Sequence, residues 1–504
     1  MGLKDLSRRL LFGIFETQER LDANDTARGI RLLTINGVCS MATGALQGGI
    51  FLSAFALAIG ASNYEIGMLA TIGFASQLMQ IPGLYLVQKF GKRRGITVIS
   101  SGVSRLLWVF ILLIPVLFVD QGVSFLLFWL GLASMTMAVC LPSWNSLLRD
   151  TVPSDRMGQV FSRRLALGTA LGLTLTLAGG YFVGWWGEQF PDEALYAYSM
   201  LFLLGLLFGL VELVAIARVP EQTLERGPDV SLIDLLSLPL KDGNFRHLLG
   251  FVGIWSFAVN MAGPFFIIYM LDRVHISLFW VTVLSMVSQL SNLLFLRIWG
   301  QLADRFSNKS VLLVSGPLFL LSILAWCFTT LPEPHAWTFP MLFAIHILSG
   351  ISTAGVSLAS TNIALKFSPH GKSHAYMTVF SLSVATTGAI APLVGGVIAD
   401  FFAVRELSLS LNWSDPTRQL SVYALNFRAL DFLFGFAFLI GLYSLNRLAR
   451  VKEEGEVTES EVLEGLVNAV VLPVRTFSPA AGIRSLASLP LQLFRKDADE
   501  EFET

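Results

Sequence analysis

Twelve long apolar stretches, each bounded by charged or turn-forming residues, follow one another along the chain. They begin near Arg31, Tyr64, Gly95, Val123, Val160, Tyr196, His247, Leu278, Ser310, Thr338, Tyr376 and Leu425, and the last ends near Arg447. A helix needs about 20 apolar residues to cross a bilayer. Hydrocarbon offers the backbone no hydrogen-bond partner, so such runs must satisfy themselves as helices. The sequence therefore predicts an all-α membrane protein with twelve transmembrane helices. Only 14% of the 504 residues are charged and 54% are hydrophobic, against roughly 25% charged in soluble proteins, which excludes an ordinary soluble enzyme. The formal charge of -1 gives no electrostatic reason to expect a nucleic-acid partner.

Charge placement orients the chain. Both tails and the even-numbered loops hold 29 of the 35 Lys and Arg residues, whereas the odd-numbered loops hold only Arg273, Arg405 and Arg418. Basic residues favour the cytoplasmic side, so both termini are expected there, with the chain in the plasma membrane, in bacteria the inner membrane. Met1 to Arg31 has no continuous apolar core and no small-residue cleavage site, so no cleaved signal peptide is expected. Cys39, Cys140 and Cys327 sit inside apolar runs and read as small core residues. Neither a metal site nor any cofactor is expected.

The chain also repeats itself. Gln88 in loop two aligns with Asp304 in loop eight at a separation of 216 residues, and the same separation relates Gly179-Gly180 to Gly395-Gly396. Two independent matches at one offset argue for a six-plus-six duplication. The division expected is a cytoplasmic segment 1–30, a six-helix bundle 31–218, a linker 219–246, a second bundle 247–448 and a cytoplasmic tail 449–504. Within the polar stretch between the halves, Leu232, Leu235, Leu236 and Leu238 suggest a short helix on the membrane surface. Apolar patches around Val467 to Val474 and Leu486 to Phe494 are too short to span.

Loop eight carries Gly300-x-Leu302-Ala303-Asp304-Arg305, which resembles the loop motif of the major facilitator superfamily. The resemblance extends over roughly residues 30 to 448. It implies two pseudo-symmetric six-helix bundles that rock about a midplane site, and gating loops at Gln88, Lys89 and Arg93 and at Asp304, Arg305 and Lys309. Loop two departs from the motif, with Gln88 where the family has Asp and Lys89 where it has Arg. Gly388 to Gly396 is similar to the family's glycine-rich helix eleven, while span five lacks its proline.

Polar residues that recur on one face of a membrane helix need a partner helix or a water-filled cavity. Asn36, Ser40, Thr43 and Gln47 are spaced four, three and four in span one, and His346, Ser349, Thr353, Ser357 and Ser360 line span ten. Asn260 in span seven, Gln289 and Asn292 in span eight, and Gln77 and Gln80 in span two complete the candidates for a substrate cavity. The small hydroxyls serve equally well as helix-packing contacts.

Arg105, Glu212 and Arg297 are charges within spans. Arg105 could grip an anion or pair with Gln77 or Glu212, and Arg428 and Asp431 are spaced to neutralise each other. His346, with Glu65 and Glu212, is what remains for proton coupling.

No phosphate-binding Gly-Lys-Ser/Thr loop, His-Glu-x-x-His or Gly-x-Ser-x-Gly occurs, so the chain is expected to be a secondary transporter of a small organic solute, not an enzyme. The partners expected are that solute, the lipid bilayer and, where coupling operates, a proton or another ion, with the monomer as the working unit. A sensor or assembly factor without solute flux, and a lipid or lysolipid transporter, are the alternatives.

Overall fold

The computed structural model describes residues 14–19, 21–118, 121–223, 232–330, 333–369, 373–415 and 419–453, with 461, 462 and 466. The apolar patches of the tail lie outside them. The described residues form helices α1 (Ala23–Gln47), α2 (Gly49–Ala58), α3 (Asn63–Ala75), α4 (Gln80–Phe90), α5 (Arg93–Leu112), α6 (Gly122–Thr151), α7 (Met157–Gln189) and α8 (Ala194–Ala217). There follow α9 (Leu232–Lys241), α10 (Gly243–Ala262), α11 (Leu278–Arg305), α12 (Asn308–Trp326), α13 (Thr338–Lys366), α14 (Ser373–Phe402), strands β1 (Glu406–Ser414) and β2 (Gln419–Arg428), and α15 (Leu430–Leu448). Among the described residues eleven segments are long and apolar enough to cross a membrane.

The expected second span is the exception. It is helical from Asn63 to Phe90 but tightens to a 3-10 turn over Ser76–Met79. Pro82 explains the break, because it has no N–H to donate and its ring crowds the carbonyl four residues back, that of Leu78. Spans one and seven break too. Gly48 is extended and Gly49 adopts φ +49° between α1 and α2, a conformation that only glycine takes without strain. The corresponding interruption after α10 falls at Gly263-Pro264, again 216 residues on.

A second departure is the antiparallel ribbon β1–β2, which replaces the expected loop between spans eleven and twelve and the first residues assigned to span twelve. Glu406-Leu407-Ser408-Leu409-Ser410-Leu411 alternates with period two, which places the leucines on one face of a strand. Leu407, Leu409 and Leu411 are all more than half exposed. Arg428 consequently ends a strand, and its guanidinium pairs with Glu406 at 2.8 Å. The expected pairing of its side chain with Asp431 is corrected: what Arg428 donates to Asp431 is its backbone N–H, at 3.0 Å.

The same anchor recurs at the termini end of the bundle. Glu221, four residues beyond α8, accepts the backbone N–H of Arg93 at 2.7 Å and of Arg94 at 3.3 Å at the start of α5. Glu453, beyond α15, accepts the N–H of Lys309 at 2.7 Å and the Lys366 ammonium at 2.9 Å. Arg93 also pairs with Asp150, and its side chain is fully buried. Arg93 and Lys309 are 216 residues apart, as are Asp150 and Lys366.

Candidate functional site

Where the two halves of the chain meet, contact is concentrated toward the ribbon end. Helix α3 packs on α14, and α7 on α11. The approach is close enough to require glycine: a Cβ at Gly67 would stand 2.3 Å from the Pro392 carbonyl oxygen, and one at Gly396 would stand 2.7 Å from that of Asn63. Thr71 donates to the Ala389 carbonyl at 2.7 Å. Asp400 accepts the N–H groups of Asn63 and Tyr64 at 3.2 and 3.0 Å, so a carboxylate from one half sits on a helix N-terminus of the other. Toward the termini end the helices part around a cavity lined by Phe74, Gln77, Phe380, Ser381 and Val384.

Two further cavities flank this gap. One, of about 330 Å³, is lined by Ser40, Thr43, Gln47, Ser76, Gln77, Arg105 and Trp108. The other, of about 300 Å³, is lined by Trp255, Ser256, Asn260, Phe319, Thr353, Ser357 and Ser360. The first includes Gly48 itself and the second reaches Asn260, one turn before the break at Gly263. A third, of about 180 Å³, holds Asn36, Ser40, Trp144, Arg164 and Glu212.

The polar stripe of span one thus faces cavities, but its amides are already engaged. Gln47 Nε2 donates to the Phe202 carbonyl at 3.0 Å and Thr43 to that of Gly205 at 3.1 Å, while Gln47 Oε1 is buried without a partner. Asn36 accepts from the Trp144 indole at 3.0 Å. Gln77 bonds Gln80 across the 3-10 turn, and Asn260 donates to Ser256 O at 2.8 Å. Gln80, Gln289, Asn292, His346 and Ser349 line none of these cavities. Gln289 is exposed, and His346 is buried with Nδ1 2.7 Å from the Leu342 carbonyl and its ring against Trp326. Glu65 closes a capping box with Ser62 and so serves the helix end.

Of the expected gating residues, Gln88, Asp304 and Arg305 are exposed at the termini end, Lys89 lies over the rings of Tyr85 and Phe90, and Arg297 is exposed on α11. Arg93 and Lys309 are instead buried anchors. Among the charges within spans, Arg105 pairs with Glu212 at 2.6 Å, both side chains being less than a tenth exposed. Arg164, seven residues into α7, was not a candidate on sequence, because its position beside loop four reads as a cytoplasmic topology signal. Its guanidinium lies 4.5 Å from the centre of the Trp144 ring. Among the described residues no group of three His, Cys, Asp or Glu could hold a metal ion.

Known proteins share this architecture. A variant structure of the nucleoside transporter NupG superposes with a TM-score of 0.66 at 12% identity, covering 84% of this chain and all of that one. A D-xylose-proton symporter gives 0.62 at 13% identity over 85% of this chain and 99% of its own. In sequence, an uncharacterized MFS-type transporter of Methanocaldococcus jannaschii is 22% identical over 361 residues, 70% of this chain and 86% of the relative. The multi-drug resistance efflux pump PmrA of Streptococcus pneumoniae is 28% identical over 131 residues, 26% of this chain and 31% of the pump. The sequence model of the Major Facilitator Superfamily matches residues 33–339 and 247–495. Fold and sequence agree, and the chain belongs to the Major Facilitator Superfamily of membrane transporters.

Proposed function

We propose that the chain is a secondary transporter that moves a small organic solute by alternating access, here in its inward-open state. In this reading the broken segment Asn63–Phe90 is the twelfth span, residues 31–218 and 247–448 are the two moving bundles, and both termini are cytoplasmic. The observation that carries it is the one-sided closure. The halves lock together at the ribbon end through Gly67, Gly396, Thr71 and Asp400 and diverge around cavities toward the termini end. Rocking about the contacts near Phe74 and Gly388 would open the other side. Asp304, which in the resembled family stabilises the outward-facing state, makes no hydrogen bond or ion pair here among the described residues, as the inward-open state requires.

Two measurements test this. Cysteines at Gln88 and Asn412 should react with an impermeant thiol reagent from opposite sides of the membrane, position 412 alone in intact cells. A disulfide between cysteines at Tyr64 and Asp400, which already touch across the two halves, should hold the ribbon end shut and stop uptake in proteoliposomes, with recovery on reduction; undiminished uptake in the cross-linked protein would refute alternating access. Uptake profiling of a deletion strain against a metabolite panel supplies the substrate for that assay.

A further inference from the structure

Three ionisable side chains meet beside the 180 Å³ cavity, and their charges do not cancel. Glu212 is paired with Arg105 at 2.6 Å. Arg164 is the second cation against this one carboxylate, and among the described residues it has neither an ion pair within 4.0 Å nor a hydrogen bond. A guanidinium is never neutral at physiological pH, and one left uncompensated inside a membrane protein marks a ligand or ion pathway.

The position of Arg164 is built. A Cβ at Gly37 of α1 would stand 1.5 Å from its Nε, so the guanidinium occupies a notch that only glycine leaves. Its face is held against Trp144 at 4.5 Å, a cation–π contact that fixes the plane and leaves the N–H edge free to bind. Trp144 is in turn fixed by its hydrogen bond to Asn36 Oδ1 at 3.0 Å. That bond uses the Asn36 oxygen and leaves its Nδ2 without a protein partner among the described residues, lining the same cavity. Arg105 repeats the device, since a Cβ at Gly209 would stand 2.5 Å from its Nε. One arginine is thus neutralised in its notch and the other is kept available.

We propose, resting on the transport reading above, that Arg164 and Asn36 form an oxyanion subsite and that the transported solute carries a carboxylate or phosphate group. The planar fork of Arg164 offers two parallel donors to such a group, and the Asn36 amide adds a third. A cavity of about 180 Å³ holds a headgroup rather than a whole solute, since complete ligand sites run to roughly 300–1,000 Å³. The remainder of the solute extends into the 330 Å³ cavity, with which the subsite shares Ser40, Met137 and Leu141. Glu212 selects against a second negative charge close to the first.

The test uses the full chain purified in detergent, with acetate, succinate, methyl phosphate and inorganic phosphate as probes against chloride at equal ionic strength. A ligand of the folded state raises the unfolding midpoint in a saturable way, and one bound at the Arg164 edge beside Trp144 also changes the tryptophan fluorescence. We expect both signals from at least one oxyanion. Carboxylates acting alone would identify the group as a carboxylate, and phosphates acting alone as a phosphate. Arg164→Gln should abolish both signals, and Arg164→Lys, which keeps the charge but loses the fork, should weaken binding about tenfold or more. Midpoints in chloride show whether each variant is folded. No response beyond chloride for any oxyanion, or an undiminished response in Arg164→Gln, overturns the proposal. Failure of the Tyr64–Asp400 cross-link to stop uptake would strike the alternating-access reading while leaving oxyanion binding intact, so the two failures are distinct.

Discussion

Asp400→Asn should loosen the closed end of the molecule without unfolding it. The Asp400 carboxylate accepts from Asn63 and Tyr64 at 3.2 and 3.0 Å, bonds that exist only while the halves touch at the ribbon end. A charge at an exposed helix N-terminus contributes about 0.3–1 kcal/mol. An amide keeps one acceptor but turns its NH₂ toward the second N–H, at a net cost of about 0.5–1.5 kcal/mol for the lost bond. Asp400 is exposed and α3 has its own Ser62–Glu65 capping box, so screening and the second cap reduce the combined about 0.8–2.5 kcal/mol to about 0.5–1.5 kcal/mol. That corresponds to a shift of roughly 2- to 12-fold toward the state open at the ribbon end. Spin labels at Gln189 and Ala403, one on each half at that end, report the two populations as two distances. The short distance should lose population in Asp400→Asn, more at low salt than at high, while Asp192→Asn, an exposed acid on the same side, should leave it unchanged. An unaltered distribution in Asp400→Asn, or an equal change in the control, would show that the cap does not bias closure.

Glu453→Gln should lower thermal stability by about 1–3 kcal/mol, because it removes the buried carboxylate that accepts the Lys309 backbone N–H and the Asn308 amide at the start of α12; unfolding in detergent measures it. Gly350→Ala should cost about 1–3 kcal/mol, since its Cβ would stand 2.2 Å from the Ser288 carbonyl oxygen, whereas Gly44→Ala meets nothing within 4 Å and should fold normally. The hydrogen bond from Arg428 holds the Glu406 carboxyl below its ordinary range. A depressed carboxylate loses its contribution only as pH falls through the folded value, so the pair at the ribbon's root should survive at pH 4.5 and break below it. Carbon-13 NMR of labelled glutamate reads that titration directly.

Much of the helical frame was legible because hydrocarbon leaves a chain few choices. The start expected at Leu278 coincides with that of α11 and the start at Thr338 with that of α13, and the short helix expected from Leu232 is α9. The 216-residue offset reaches further than the motifs that revealed it, to the breaks at Gly48 and Pro264 and to the Arg93 and Lys309 anchors. What stayed hidden was which neighbour each polar group meets. An amide such as Gln47 can be satisfied by a backbone carbonyl of another helix, and no one-dimensional pattern distinguishes that carbonyl from a cavity. The partner of Arg93, Glu221, lies 128 residues along the chain, too far for any local pattern to pair them. The ribbon, by contrast, was readable: Leu407, Leu409 and Leu411 alternate as a strand does, but the pattern sits beside a run so apolar that Leu425 was drawn into it.

The Glu221 anchor sets a schedule. Arg93 is held by a residue made 128 positions later, and Lys309 by one made 144 positions later. At about 5–20 residues per second a ribosome takes roughly 6 to 26 s to cover the first interval. Throughout it α5 and α6 are joined at this end by Arg93 with Asp150 and Ser146, and the first-turn amides of α5 lack the acceptor that later covers them. Each half is therefore fastened by a residue synthesised after its helices, so a nascent chain that stalls before Glu221 presents unfastened helices to the quality-control machinery, and the wait begins again at Lys309.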